Sequence, residues 1–336
     1  MSSSVTVDDV GRTTATEVFE VEKGAIRHFA EAIGDPNPLF HDEEFARRHG
    51  YSSVLAPPSF ATTLRLPFPV ELEMAHVLHG EEEYVYQRPI VAGDRLACQS
   101  RVASVKERKG SLGGMTLLVI DTTGSEATSG DPVFVARSTV IIRQSVEPGA
   151  AEAPPSGAAA AGPAAATGPQ LGAGEAASKA PTGPQIQPSG LPASSRPPAT
   201  PDGGVRTASP HLVELHKDDE LLALVKEPIS RVQLAKYAGA SGDFNSIHLD
   251  DEAARRAGLG SVIAHGMLSM GFLGQLAAGW AGPDGRVVRL AARFAAMVRP
   301  GDVLTVHGLV NGVSDRTILS LWAENQRGER VTKGEA

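Results

Sequence analysis

Three side chains able to handle protons fall within six residues: Asp243, Asn245 and His248, in the stretch SGDFNSIHLD (241–250). A carboxylate and an imidazole that close on one water molecule can take a proton from it and return one elsewhere, which is general acid–base chemistry. A regular helix would turn positions five apart onto different faces, whereas a fixed loop can aim both at one point. On its own, an Asp and a His at this spacing are ordinary surface residues. Asn245 has two readings: its amide can orient the acid or the water, or it can close its own loop as an Asx-turn.

The context lifts the pair above that background. IGDPNPLFHD (33–42) repeats the pattern, with Phe40 where the imidazole should stand. A shift of 208 lays Ala30–Ala56 on Ala238–Ala264 without a gap, and 14 of those 27 positions are identical, including Gly34/Gly242, Asp35/Asp243, Asn37/Asn245 and Asp42/Asp250. The same shift carries AGD at 92–94 onto PGD at 300–302. The chain reads as one domain present twice, and two copies do not make a solenoid.

The elements that must position the loop are legible in each copy. In the second, Ser230 with Gln233 three residues on predicts a capping-box helix start, and Gly242 its end. Asp250 caps a short helix that stops at Gly258. Gly266–Trp280, GMLSMGFLGQLAAGW, is apolar on nearly all faces, the pattern of a buried helix, and Gly282-Pro283 terminates it. VVRLAARFAAMV, DVLTVHGLV and TILSLWAEN follow with strand character. The first copy offers EYVYQRPIV, DRLACQSRVASVKE, GMTLLVIDTTG and PVFVARSTVIIR. A buried helix followed by antiparallel strands predicts a sheet curled around a central helix.

Between the copies, Pro148–Pro201 is built from Ala, Pro, Gly, Ser, Thr and Gln, with four charges and no aromatic residue in 54 positions. Such a composition cannot bury enough apolar area to offset its ordering entropy. It predicts a linker, 147–206, of roughly 40 Å root-mean-square span. The flanking domains are then 1–146 and 207–336. The 336 residues suffice for two domains, and the net charge of −8 argues against nucleic acid held by phosphate contacts. Cys98, alone, rules out an intramolecular disulfide. No apolar run approaches a membrane span and MSSSVTVDDVGR has no signal-peptide pattern, so the expected location is the cytoplasm.

YAGASGDFNSIHLDDEAARRAGLGSVIAHGMLSMGF, which contains Gly-Asp-x-Asn-x-x-His followed by His-Gly-Met, resembles the signature of the MaoC-like dehydratases, the (R)-specific enoyl-CoA hydratase (hydratase 2) group. GDPNPLFHDEEFARRHGYSSVLAPPSFA with RPIVAGD is similar to the non-catalytic partner domain of that family. The pair also resembles a (3R)-hydroxyacyl-ACP dehydratase heterodimer fused into one chain. The resemblance implies an α+β double hot-dog fold, two antiparallel sheets each wrapped around a central helix. It implies reversible dehydration of (3R)-3-hydroxyacyl thioesters to trans-2-enoyl thioesters. Asp243 and His248 would be the catalytic dyad. No cofactor beyond CoA or phosphopantetheine as the substrate's carrier is expected, the partner being an acyl-CoA or an acyl carrier protein thioester.

That reaction needs a grip on water and a donor for the charge growing on the thioester oxygen. The expected donor is the backbone N–H of Gly266, at the start of the buried helix, where N–H groups are free and the dipole is positive. In the first copy, His248 is matched by Phe40, and His265-Gly266 by Pro57-Pro58. Proline has no N–H, so imidazole and oxyanion donor are lost together. One working site per chain is expected, the first copy completing the sheet and shaping the acyl tunnel. His265 is a candidate substrate contact or a structural hydrogen-bonder. Ser269 either faces the site or packs as a small residue. Arg286 to Arg299 carries four arginines and no acid. Arg293 is therefore a candidate for carrier phosphates, against the alternative of solvated strand ends. His211, His216 and His307 have no ligand spacing, and no metal site is expected. Within the same fold a thioesterase is the enzymatic rival, and an acyl-thioester binding protein the non-enzymatic one. An internal pseudo-dimer, able to pair again, is expected.

Overall fold

The computed structural model describes residues 5–72, 77–110, 113–143 and 215–336; the expected linker, 147–206, lies outside them. The helices repeat with the same offset of 208 as the sequence. Helices α1 (Lys23–Ile33) and α4 (Arg231–Ser241) both end at a left-handed glycine, Gly34 at φ 62° and Gly242 at φ 72°, a conformation glycine adopts without the Cβ penalty. The Ser230 side chain opens α4 by accepting from Gln233 N at 3.0 Å. The reciprocal half of the capping box does not form, because Gln233 Nε2 donates across to Ala32 O of α1 at 3.3 Å. Next come α2 (Pro38–His41) and α3 (Glu43–Arg48) in the first copy and α5 (Asp251–Arg256) in the second. Asp42 and Asp250 cap α3 and α5, accepting from Phe45 N at 3.0 Å and Glu252 N at 2.7 Å.

The long helix α6 (Gly266–Ala281) is buried without a break from Met267 to Gly274 and stops at Gly282, φ 67°. At the matching place the first copy has only a 3-10 turn, Phe60–Thr63. A central helix in each sheet was the expectation; among the described residues only the second copy has one. Pro57, Pro58, Pro67 and Pro69 leave no uninterrupted apolar run there in the first copy. No helix among the described residues is long and apolar enough to cross a membrane.

Among the described residues ten strands, β1 (Glu17–Glu20), β2 (Val77–Tyr86), β3 (Arg95–Gly110), β4 (Gly113–Glu126), β5 (Pro132–Arg143), β6 (Leu224–Val225), β7 (Arg289–Phe294), β8 (Leu304–Val313), β9 (Thr317–Asn325) and β10 (Arg330–Glu335), form the sheet. Their order is β1-β3-β4-β5-β2-β7-β10-β9-β8-β6. The second five mirror the first five, so the two sheets expected from sequence join edge to edge through the antiparallel β2–β7 pair. Glu83 faces Ala291 in that pair. They are 208 apart, so the local two-fold passes through them.

One hydrophobic core spans both copies, with Ile33, Phe29 and Phe60 packed beside Leu268, Phe272 and Leu290. The small residues of α6 permit this closeness. A Cβ on Gly271 would sit 2.8 Å from Ile33 Cγ2, and one on Gly274 would sit 3.1 Å from Leu290 Cδ2. A separate cluster, Val70, Val77, Val102, Leu118 and Val140 among its members, fills the first copy. Lys226 of the second copy stitches the two, donating to Ile33 O at 2.9 Å, Gly34 O at 3.0 Å and Gln275 Oε1 at 2.7 Å.

Candidate active site

The loop between α4 and α5 is held by its own side chains. Asp243 Oδ1 accepts from Asn245 N at 3.3 Å, and Asn245 Oδ1 accepts from Ile247 N at 3.4 Å. Asn37 makes the same bond to Leu39 N at 3.1 Å in the first copy. The Asn245 carbonyl is therefore occupied in shaping the loop, although the residue also borders the cavity.

His248 is 9 % exposed, and its Nδ1 lies 2.8 Å from Ile263 O. A carbonyl only accepts, so Nδ1 carries the proton, and Nε2 of the neutral ring keeps its lone pair. Burial pushes the His248 pKa below the ordinary 6.5, against the pull of the Ile263 carbonyl and of Asp243. His265, the residue preceding α6, donates from Nε2 to Asp243 O at 3.0 Å and stacks on His248 at 3.9 Å between centroids and 29° between planes. Its Nδ1 is buried with no hydrogen-bond partner among the described residues. Burial, then the neighbouring His248, takes the His265 pKa down to about 4. Both rings are neutral near pH 7.

One ligand-capable atom from each of Asp243, His248 and His265 lies within 4.8 Å of the others. Residue types and closeness would suit a cation. The ring geometry does not, because two imidazoles sharing an ion aim their nitrogens edge-on at one point, whereas these lie nearly parallel, one over the other. The arrangement suits proton exchange instead.

Gly266 opens α6, and its N–H, in the first turn, has no intrahelical acceptor. A Cβ there would meet the Phe294 ring at 3.0–3.2 Å, so glycine lets the helix end approach that ring. Ser269 Oγ donates to Gly266 O at 2.7 Å and shares a 2.7 Å bond with Thr332 Oγ1, bracing the helix start at the cavity wall.

The cavity, about 400 Å³, is lined by Asp243, Asn245, His248, His265 and Gly266 from the second copy and by Thr62, Arg65, Phe68, His79, Ser138 and Val140 from the first. Arg65 was not singled out by sequence. Its Nη1 lies 3.8 Å from Asp243 Oδ2, and its Cδ lies 3.1 Å from where a Cβ on Gly242 would be. The only trace of it in sequence is a lone arginine in the proline-interrupted run TTLRLPFPV.

The matching place in the first copy is a hollow of about 50 Å³ lined by Asn37, Phe40, Pro57, Pro58 and Tyr86. The Tyr86 hydroxyl donates to Pro58 O at 2.8 Å. In the loop beside it Asp35 persists, its Oδ2 buried with no hydrogen-bond partner among the described residues, and burial raises its pKa to about 6. His41 Nε2 lies 2.7 Å from Asp35 O. That is the backbone contact His265 makes to Asp243.

Arg293 lies outside the cavity. Strand alternation points it away from Phe294 to the outer face, where it is 74 % exposed and 3.6 Å from Glu81. It does not border the cavity with the dyad. The other arginines of that stretch do not border it either. Arg289 pairs with Glu83 at 2.6 Å and with Glu335. Arg299 donates to Leu259 O at 2.8 Å and Ser261 Oγ at 2.8 Å. Arg286 lies at the small hollow of the first copy.

Comparison with known families matches residues 8–135 to the FAS1-like dehydratase domain region and residues 215–324 to the MaoC like domain. Curated relatives include a UPF0336 protein of Streptomyces avermitilis, 38 % identical over 148 residues, 41 % of this chain and 95 % of its own length. A UPF0336 protein of Thermobifida fusca is 33 % identical over 135 residues, 38 % of this chain and 86 % of its own. Among solved structures, a MaoC-like dehydratase superposes with a TM-score of 0.70 at 25 % identity, covering 97 % of both chains. A Mycobacterium tuberculosis protein described as having a double hotdog fold superposes at 0.62 and 16 % identity, over 97 % of this chain and 94 % of its own.

Proposed function

Because this chain belongs to the MaoC-like dehydratases and has their double hot-dog fold, we propose that it interconverts (3R)-3-hydroxyacyl and trans-2-enoyl thioesters. The observation that carries this reading is the convergence of the Asp243 carboxylate and the His248 ring beside the first N–H of α6, in a cavity of about 400 Å³. Asp243 and His248 grip the water. In hydration the water oxygen bonds to C3, one water proton passes to the dyad, and C2 receives a proton from it, so the dyad ends with the proton count it began with. Dehydration is the same path reversed. The Gly266 N–H and the α6 dipole stabilise the charge that builds on the thioester oxygen in between. Arg65, with Nη1 3.8 Å from Asp243 Oδ2, helps orient that carboxylate.

The first domain (1–146) supplies the opposite cavity wall and no chemistry, the second (207–336) carries the dyad, and 147–206 links them. Coenzyme A or phosphopantetheine enters as the carrier of the substrate. A cytoplasmic setting accords with the single buried cysteine, Cys98.

The experiment is incubation with crotonyl-CoA while following both the conjugated-thioester absorbance and free thiol. Loss of absorbance without thiol is the expected result. Thiol release would make the protein a thioesterase. Neither signal, across short, long, branched and dicarboxylic acyl groups on CoA and on acyl carrier protein, would leave a binding protein.

A further inference from the structure

The cavity has a polar wall that the proposed chemistry does not use. His79 and Glu82 on β2 are three residues apart and would face opposite sides of a regular strand. The register slips between His79, opposite Val140, and Glu81, opposite Thr139. The resulting bulge at Gly80 brings both side chains to the inner face. Glycine relieves crowding at the bulge, since a Cβ would sit 3.1 Å from the Ile141 side chain and from Thr139 O.

Glu82 is 4 % exposed, and its Oε2 accepts from His79 Nε2 at 2.8 Å and from Ser138 Oγ at 2.6 Å. His79 and Ser138 border the same cavity as Asp243 and His248. The His79 ring meets the Phe294 ring edge-on at 5.2 Å, and Phe294 is the ring that packs against Gly266. One aromatic ring thus separates the oxyanion glycine from this cluster. The shift of 208 puts Val287 and Leu290 at the corresponding positions of the second copy, so the polar wall belongs to the first copy alone.

A buried carboxylate in an otherwise apolar wall is costly unless something uses it. With the His79 Nε2–H and the Ser138 O–H given to Glu82, two polar atoms of the cluster are left for a ligand in the cavity: the Ser138 oxygen and the His79 Nδ1. No hydrogen bond to that Nδ1 occurs among the described residues. A methyl group would leave these polar atoms unpaired. A carboxylate would be repelled by Glu82. A hydroxyl would satisfy them. We propose that His79 and Ser138, backed by Glu82, form a subsite for a hydroxyl group on the acyl chain, a few carbons from the thioester. This rests on the reading of the site as an acyl-thioester hydro-lyase.

The test compares kcat/KM for trans-2-hexenoyl-CoA with that for its 4-, 5- and 6-hydroxy derivatives and for trans-2-hexenedioyl-CoA. The wild type is expected to favour one hydroxylated isomer about tenfold, the worth of one hydrogen bond of about 1.4 kcal/mol. His79→Phe and Ser138→Ala should each erase that preference while still turning over the plain enoyl thioester, which also shows that each variant folds. Equal rates for plain and hydroxylated chains in the wild type, a preference for the dicarboxylic thioester, or a preference that survives both substitutions would overturn the subsite and leave the hydro-lyase reading intact. No turnover of any of these thioesters would overturn both.

Discussion

At the scale of single residues, the dyad makes the sharpest claim. Asp243→Asn and His248→Ala are each expected to lower hydration of crotonyl-CoA by about 10²–10⁴-fold, the usual weight of a positioned acid or base. The change should fall on kcat; Asp243→Asn should leave the melting temperature nearly unchanged, whereas His248→Ala also loses the bond to Ile263 O and the stack on His265 and should lower it. An active His248→Ala enzyme would end the assignment. His265 gives a pH prediction. Its pKa is about 4 in the fold against 6.5 in the unfolded chain. The unfolded state therefore binds a proton first as pH falls. The stability tied to this neutral ring is complete above pH 6.5, is lost on the way down towards 4 and levels off below, to a total of about 3 kcal/mol. His265→Gln keeps an amide for the Asp243 carbonyl and cannot titrate. Denaturant unfolding of both proteins at pH 7, 5.5 and 4.5 should show the wild type losing ground to the variant throughout that interval. Parallel curves would mean that His265 is not buried neutral.

At the scale of elements, what the sequence disclosed follows from how local each signal is. A cap is written in four adjacent residues, so Ser230, Gly242, Asp250 and Gly282 all appear where expected, at the helix ends. The strand β5 was legible end to end, whereas β2 begins at Val77, six residues before the apolar run that pointed to it, and β10 went unseen because RVTKGE is short and polar. The face Arg293 takes was not legible either, because the parity of a strand residue is fixed only once its pairing is known. Arg65, His79 and Ser138 reach the cavity only through the pairing of two copies distant in sequence, which no local pattern encodes. The small residues of α6 were legible as a pattern, but their purpose was not. Gly271 lets α6 lie against α1, with Ile33 Cγ2 2.8 Å from the absent Cβ. Gly271→Val should therefore destabilise the protein by about 1–3 kcal/mol by overpacking. The midpoint of denaturant unfolding measures it, and Ile33→Ala in the same chain should restore part of the loss by making room. Additive effects of the two changes would show that the contact is not what matters.

At the scale of the whole molecule, a two-fold has been kept in the backbone and discarded in the chemistry. The sheet order is a mirror about β2–β7, yet a cavity of about 400 Å³ on one side answers to a hollow of about 50 Å³ on the other. Duplication supplied two loops with Asp, Asn and an N-capped turn. Phe40 and Pro57-Pro58 then closed the first, while that copy's missing helix and polar wall opened room for the second. Asp35 is the residue stranded by this division of labour. It is buried with one oxygen unpartnered among the described residues, and its pKa is raised from 3.8 to about 6. A raised carboxyl stabilises the fold only while protonated. Its contribution is present below pH 3.8 and is lost as pH climbs through 6, leaving an ionised group that costs up to about 3 kcal/mol at neutral pH, moderated by Lys226. Asp35→Asn removes the titration without changing shape. The variant's stability relative to wild type should be greatest at pH 7 and should shrink as pH falls to 4, while hydration of crotonyl-CoA stays within a few-fold of wild type. A folded Asp35→Asn protein without activity would place a second working site in the first copy and contradict the one-site division on which the whole arrangement depends.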